Sequence, residues 1–269
     1  MKSILGFGIG ETQEAKAVET PCDVHNRPVP SLVTVRFPGT GPALTYYNDK
    51  YALQAGDRVF VSGKYAGQLG EVETVTTKFK IRLSDYQRVI AKASIAIHGT
   101  YELVLDKMVS HDENAVSPEE FRSWILPPAQ RDDEDGESPE DEVVIGDGYE
   151  LDLFALEHCD EITEAIAERA MDYCRSGRVA YLSVRDGIGT AFVQGTKWYE
   201  INFRLNGSLI SEAYCDCPYP GLCKHLLAVA MTLRALAQVG HMDLSRDYVL
   251  FDDAWFWSNV SKTAKRVVL

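Results

Sequence analysis

The chain has 269 residues, of which 45% are apolar and 25% charged, and its formal net charge is −13. This composition suffices for a sizeable core in more than one domain, and six scattered or clustered cysteines do not form the framework of a disulfide-stapled protein. No apolar run approaches the roughly 18 residues that span a bilayer, and the first residues lack a signal-peptide core, so we expect a cytoplasmic protein without a membrane partner.

The negative charge is concentrated in one part of the chain. Residues 1–110 carry a net charge of +2, residues 111–162 carry −16, and residues 163–269 carry +1. The acidity therefore belongs to a linker, and the flanking regions are close to neutral. We accordingly expect a domain over 1–110, a short helix and acidic linker over 111–150, and a second domain from 151 onward.

The N-terminal region shows short runs of alternating apolar and polar residues separated by glycine or polar breaks, a pattern typical of β-strands. The predicted strands cover 31–37, 43–48, 57–62, 70–76, 79–83 and 88–97. Several short strands at this spacing favour a small β-barrel.

Part of this region resembles the KOW motif over residues 56–82. The resemblance rests on Gly56-Asp57, the alternating Val59 and Val61, a loop with Gly63 and Gly67, and Gly70 ahead of Val72. It implies contact with RNA, DNA or proteins of transcription and translation. The same glycines would also suit tight barrel corners whatever the function.

A basic stripe follows. Side chains two apart on a strand share a face, so Lys78, Lys80 and Arg82 would lie together with apolar side chains behind them. Such a stripe could lie along phosphates, although a solvated outer strand face gives the same pattern. The candidate nucleic-acid residues are Lys78, Lys80, Arg82, Arg88 and Lys92.

A short helix is predicted after Ser117, which forms a capping box with Glu120 and precedes Pro118 at the first helical position. Prolines 127 and 128 end the helix, and its apolar face (Phe121, Trp124, Ile125) is expected to pack on the first domain. The acidic run 131–142 that follows is too poor in apolar residues to fold alone. It is either a solvated spacer, a competitor of nucleic acid for basic faces, or an attractant for a basic partner.

Four metal-ligand residues fall within eleven positions of the second domain. Cys215 and Cys217 follow a predicted hairpin, 199–205 and 209–214 with a turn at Asn206-Gly207, and Cys223 and His225 open a predicted helix. Three thiolates and one imidazole form a closed tetrahedral zinc site. A disulfide or small buried cysteines are the alternatives, but a disulfide between residues two apart closes a cramped ring.

This CxC and CxH spacing, with the strand pair before it and the Leu-rich helix after it, resembles the SWIM zinc finger family. The similarity extends from about 163 to 238 and includes a helix that ends at Ser176-Gly177 before the first strand. It implies zinc binding and, by family association, binding to nucleic acid or to protein partners such as a Swi/Snf-type ATPase. The finger itself does not select between these partners.

The last region, 241–269, is rich in aromatic residues. Tyr248, Phe251 and Trp255 are spaced three and four apart, which predicts a helix that docks its aromatic face on the core. An exposed version of that face would bind a protein partner.

The sequence contains no GxxxxGK[ST], HExxH or GxSxG motif, and four protein ligands leave a zinc ion no position for a catalytic water. We therefore expect an α+β protein without catalytic activity: a β-barrel with KOW-like features, an acidic linker, and a ββα zinc domain (151–240) with flanking helices. Its leading function is zinc-dependent binding of nucleic acid. The alternative is a protein-interaction adaptor in which zinc only fixes the fold.

Overall fold

The computed structural model describes residues 29–38, 41–80, 85–127, 149–260 and 267–268. Cys22, Arg82 and the acidic linker 129–147 lie outside these residues. The described chain forms two sheets, here called the first and the second sheet, with four α-helices. Among the described residues, no helix combines the length and the apolarity that crossing a membrane requires.

The first sheet contains five antiparallel strands in the order β2-β1-β4-β3-β5. They are β1 Ser31–Arg36, β2 Leu44–Asn48, β3 Arg58–Val61, β4 Leu69–Thr76 and β5 Val89–Ala93. These bounds agree with the alternating runs in the sequence, with one exception. Of the predicted strand 79–83, residues 79 and 80 are not in a strand, and residues 81–83 lie outside the described residues. The inward side chains of the five strands form a core that is separate from that of the second sheet. It includes Val33 and Val35 of β1 and Val59 and Val61 of β3.

The predicted β-barrel is wrong, because the first sheet is open. Among the described residues, its edge strand β2 meets the chain just before the other edge strand, β5, through a single bridge between Tyr47 and Arg88 and one backbone hydrogen bond from Tyr47 N to the Gln87 carbonyl. A barrel needs a continuous ladder between its first and last strands.

The second sheet contains nine strands in the order β14-β6-β7-β13-β9-β10-β11-β12-β8. They are β6 Tyr101–Val104, β7 Lys107–Ser110, β8 Tyr149–Asp152, β9 Val179–Arg185, β10 Ile188–Gln194, β11 Trp198–Asn206, β12 Leu209–Cys215, β13 Tyr248–Asp252 and β14 Val267–Val268. All neighbours are antiparallel except β14 and β6. Strands β6 and β7 come from the region before residue 110, so this sheet extends across the limit that the sequence suggested for the first domain.

Helices cover both faces of the second sheet. They are α1 Pro118–Ile125, α2 Glu164–Arg175, α3 Lys224–Gln238 and α4 Asp253–Val260. Successive residues of β9 illustrate the two sides: Leu182 packs in the core with α2 and α3, and Tyr181 packs in the core with α1 and α4.

Helix α1 has the predicted start, since Ser117 Oγ accepts a hydrogen bond from Glu120 N at 3.2 Å and Pro118 is the first helical residue. The expectation that its apolar face packs on the first domain (1–110) holds only in part. Phe121, Trp124 and Ile125 share a core with Ile97, Tyr101 and Met108 of that range, but they do not pack on the core of the first sheet. Phe121 stacks on Tyr181 of β9 at 4.6 Å between ring centroids, and Trp124 stacks on Phe251 at 6.4 Å. The second sheet offers a large aromatic surface there, and the core of the first sheet contains none of these residues.

The predicted aromatic helix is wrong over its first half. Tyr248–Asp252 is a fully buried strand in the interior of the second sheet, and a helix begins only at Asp253. Tyr248 and Leu250 enter one core, and Val249 and Phe251 enter the other. A strand that is buried on both faces has apolar residues at every position, so spacings of three and four also occur in it by chance.

Candidate metal centre

A hairpin and a helix bring the four predicted ligands together. Cys215 is the last residue of β12 and lies opposite Ile201 of β11, and the hairpin turns at Gly207, whose φ of +59° suits glycine. Cys217 lies in the loop between β12 and α3. The predicted order of strand, strand, turn and helix is confirmed.

Cys223 caps the N-terminus of α3. Its Sγ accepts a hydrogen bond from Leu226 N at 3.4 Å, and its carbonyl accepts one from Leu227 N at 3.1 Å. A thiolate suits this position because it satisfies a helix N–H group and faces the positive end of the helix dipole. His225 therefore lies in the first turn of α3, as the sequence predicts.

The ligand atoms of Cys215, Cys217, Cys223 and His225 all lie within 4.8 Å of one another. The Nδ1 atom of His225 is 3.9 Å from Cys215 Sγ, so this nitrogen is turned towards the sulfur atoms. Tetrahedral zinc with Zn–S and Zn–N bonds of ordinary length would place its ligand atoms about 3.5–3.8 Å apart. The cluster thus needs to contract by at most about an ångström to hold zinc.

Hydrogen bonds among the thiols favour a negative charge on Cys223. Its pKa is lowered to about 4, first by the hydrogen bond from Cys215 and then by those from His225 and from Leu226 N. The pKa of Cys215 is raised, first by the same bond to Cys223 and then by burial, and burial also raises that of Cys217. A zinc ion must therefore displace protons from Cys215 and Cys217 when it binds.

Two tyrosine rings hold the His225 ring, which is only 5% exposed. Tyr199 of β11 stacks on it at 4.2 Å between centroids with 23° between the planes, and Tyr173 of α2 contacts it at 5.3 Å and 59°. No local sequence pattern predicts these contacts, because both tyrosines are distant from His225 along the chain.

A chain of hydrogen bonds fixes the loop between Cys215 and Cys217. Asp216 and Glu200 exchange two bonds, Asp216 N to the Glu200 carbonyl at 3.1 Å and Glu200 N to Asp216 Oδ1 at 3.0 Å. The Glu200 carboxylate then accepts from Arg122 Nε of α1 at 3.0 Å. Helix α1 is therefore tied to the metal loop as well as to the core.

The candidate nucleic-acid residues have different surroundings. Lys78 and Lys80 are exposed, whereas Arg88 pairs with Asp49 at 2.5 Å and Lys92 pairs with Asp57 at 2.8 Å. Arg82 lies outside the described residues. The common strand face that the sequence predicts for the stripe is absent from its described part, since β4 ends at Thr76.

Comparison with known proteins supports the SWIM resemblance and not the KOW-like resemblance. Residues 199–233 match the family model of the SWIM zinc finger. No curated protein and no solved structure matches the chain. The KOW-like resemblance of residues 56–82 is not supported. The match spans both strands of the hairpin, all four clustered ligands and the first ten residues of α3, and so the chain contains a SWIM zinc finger domain whose Cys/His cluster could hold a zinc ion.

Proposed function

We propose that this protein is a zinc-binding accessory protein that binds nucleic acid without catalysing a reaction on it. The observation that carries this proposal is a basic surface on the first sheet. Arg88 lies 5.3 Å from the centre of the Tyr47 ring, and Phe79 contacts the same ring edge-on at 6.3 Å. Lys78 and Lys80, the neighbours of Phe79 along the chain, are exposed.

Charge balance around this surface supports phosphate as the ligand. Within the described chain, neither Lys78 nor Lys80 has a carboxylate in ion-pair distance, and Asp49 is paired with Arg88. Described residues up to 93 carry eight basic and five acidic side chains, a net charge of +3, although the whole chain is at −13. Exposed cations without a carboxylate partner are the groups with which proteins contact a polynucleotide backbone.

The metal centre supports a non-catalytic role for zinc. Its three thiol groups and one imidazole would fill a tetrahedral shell, and catalytic zinc sites keep one position for water or substrate. Zinc bound there would stabilise the connection between the hairpin and α3.

The test is the affinity of the zinc-loaded full chain for a labelled single strand of about 16 nucleotides. It is measured by fluorescence anisotropy at about 50 and about 200 mM salt. We expect binding that weakens steeply with salt and that Lys78→Glu lowers further. Arg246→Glu is the matched control, because Arg246 is an exposed cation in the loop before β13. Absence of binding at the lower salt, or equal effects of the two substitutions, would contradict the proposal.

A protein-interaction adaptor is the second candidate, and exposed tyrosines at the metal loop favour it. Tyr214 and Tyr219 lie just outside the Cys215–Cys217 pair and are 52% and 54% exposed. Exposed aromatic residues are common anchors at protein interfaces. A partner such as the Swi/Snf-type ATPase suggested by the family resemblance belongs to this candidate. Capture of such a partner that Tyr214→Ala abolishes, together with no binding to nucleic acid, would favour it.

A further inference from the structure

Three cationic side chains contact the tyrosines that hold the zinc-site histidine. Arg178 and Lys224 lie over the Tyr173 ring, at 4.8 and 4.6 Å from its centre, and Lys197 lies 5.3 Å from the centre of the Tyr199 ring. These five residues are called the cation–tyrosine surface below. They come from separate elements: Arg178 from the connection between α2 and β9, Lys197 from the turn between β10 and β11, and Lys224 from the start of α3.

This surface has an excess of positive charge. Within the part of the chain that the structure describes, no carboxylate lies in ion-pair distance of Arg178, Lys197 or Lys224, whereas Arg36, Arg58, Arg122, Arg204 and Arg234 all have one. Arg178 donates to two uncharged oxygens of the described chain, the Ser176 hydroxyl at 3.3 Å and the Gln194 carbonyl at 3.5 Å.

The negative charge at the metal centre is smaller than the positive charge of Arg178, Lys197 and Lys224. Three thiolates and one Zn²⁺ ion leave a single negative charge, and the neighbouring Asp216 adds one more. One positive charge or more is left for an external anion.

We propose that the cation–tyrosine surface is a second phosphate-binding site, which contacts the backbone of a polynucleotide. This inference rests on the proposed function and adds a separate surface to it. Lys224 lies between the ligands Cys223 and His225, and Tyr199 stacks on His225, so the metal centre positions this surface. Two phosphate-binding surfaces on one chain increase affinity for a long polyanion, because the second surface engages its phosphates at a high effective concentration.

The competing explanation is that these cations only neutralise the zinc centre. The two explanations predict different consequences for Lys197→Gln and for the pair Lys197→Gln, Lys224→Gln. If the surface binds phosphate, both variants retain zinc and lose affinity for nucleic acid. If the cations only balance charge, the variants bind zinc more weakly and the zinc-loaded forms bind nucleic acid as the wild type does.

The experiment uses the full chain loaded with zinc, the same single strand of about 16 nucleotides, and a salt titration from about 50 to 200 mM. We expect the slope of log affinity against log salt to fall by about 0.7 for each phosphate that the variant no longer neutralises. Arg246→Gln, the charge-matched control, should leave the slope unchanged, and Lys197→Arg should restore it. Zinc content is measured in every variant.

Three outcomes would overturn the inference. An unchanged slope in the double variant, with wild type binding normally, refutes the second site and leaves the proposed function intact. Loss of zinc from the variants with an unchanged slope in their zinc-loaded forms assigns the cations to the metal centre. No binding by the wild type at the lower salt refutes this inference together with the proposed function.

Discussion

Gly177 joins the helix that carries Tyr173 to strand β9, and we expect Gly177→Ala to destabilise the second sheet strongly. Its φ is +66°, a conformation that L residues adopt at a cost, and a Cβ atom there would overlap the carboxylate of Asp252. That carboxylate is buried. It pairs with Lys107 Nζ at 3.0 Å and accepts a hydrogen bond from Trp255 N at 3.0 Å.

The expected magnitude has two parts. The left-handed backbone costs an alanine about 1–2 kcal/mol. Displacing Asp252 breaks a buried ion pair, whose side chains are only 3% and 5% exposed, and the loss of one partner of such a pair costs about 3–5 kcal/mol. This figure is an upper limit here, because Lys107 Nζ keeps a second partner in Asp106 at 3.0 Å. If the carboxylate is fully displaced, the upper limit of the total is about 4–7 kcal/mol, which approaches the whole stability of an ordinary domain.

Gly207→Ala is the matched control. Gly207 also has a positive φ, +59°, but no atom lies within 4 Å of the position that its Cβ would take, so only the backbone cost of about 1–2 kcal/mol applies. Urea unfolding followed by tryptophan fluorescence reports on the second sheet, since three of the four tryptophans pack in its aromatic core and the fourth, Trp257, lies on α4. Equal destabilisation by the two substitutions would refute the role assigned to Asp252.

Three further predictions concern the metal centre and the linker. A zinc chelator should lower the melting temperature of the second sheet, which tryptophan fluorescence reports, and leave the melting temperature of the first sheet unchanged, because the first sheet has a separate core. One common unfolding transition, whose melting temperature the chelator lowers for both sheets, would contradict this. Replacing residues 129–147 by a Gly/Ser sequence of equal length removes nine acidic and one basic side chain, and should strengthen nucleic-acid binding in anisotropy titrations with both sheets still protease-resistant. Loss of protease resistance in either sheet would show that the linker is structural. Zinc affinity should rise between about pH 6 and pH 8. Because the pKa values of Cys215 and Cys217 are raised, both thiols are protonated in the metal-free protein, and zinc must displace these protons when it binds. A zinc affinity that does not change with pH in competition titrations would mean that these thiols are not ligands.

The metal centre could be predicted from sequence because its information is local. Cys215 and Cys217 fall at the end of a recognisable hairpin, Cys223 and His225 open a recognisable helix, and the spacing alone brings them together. The strands of the first sheet were also predictable from their alternation. Their closure into a barrel was not, because it depends on whether the two edge strands meet in the folded sheet, which no local pattern of residues encodes.

Two features of the second sheet were not predicted, and both depend on contacts between residues that are distant along the chain. Tyr248–Asp252 is apolar on both faces because helices cover both sides of its sheet, and no local pattern distinguishes such a strand from a helix of the same length. The surroundings of His225 were missed for a related reason. Tyr173 of α2 and Tyr199 of β11 contact the His225 ring, and Arg178 and Lys197 contact these two tyrosines, only through the packing of elements that are separate along the chain.

Metal analysis of the purified full chain tests the central claim most directly. We expect about one zinc ion per chain in the wild type. The same content is expected in the control Cys159→Ser, whose cysteine lies outside the cluster, and little zinc is expected in Cys215→Ser and His225→Ala. Wild-type protein without zinc, or a zinc content that neither Cys215→Ser nor His225→Ala changes, would contradict the account.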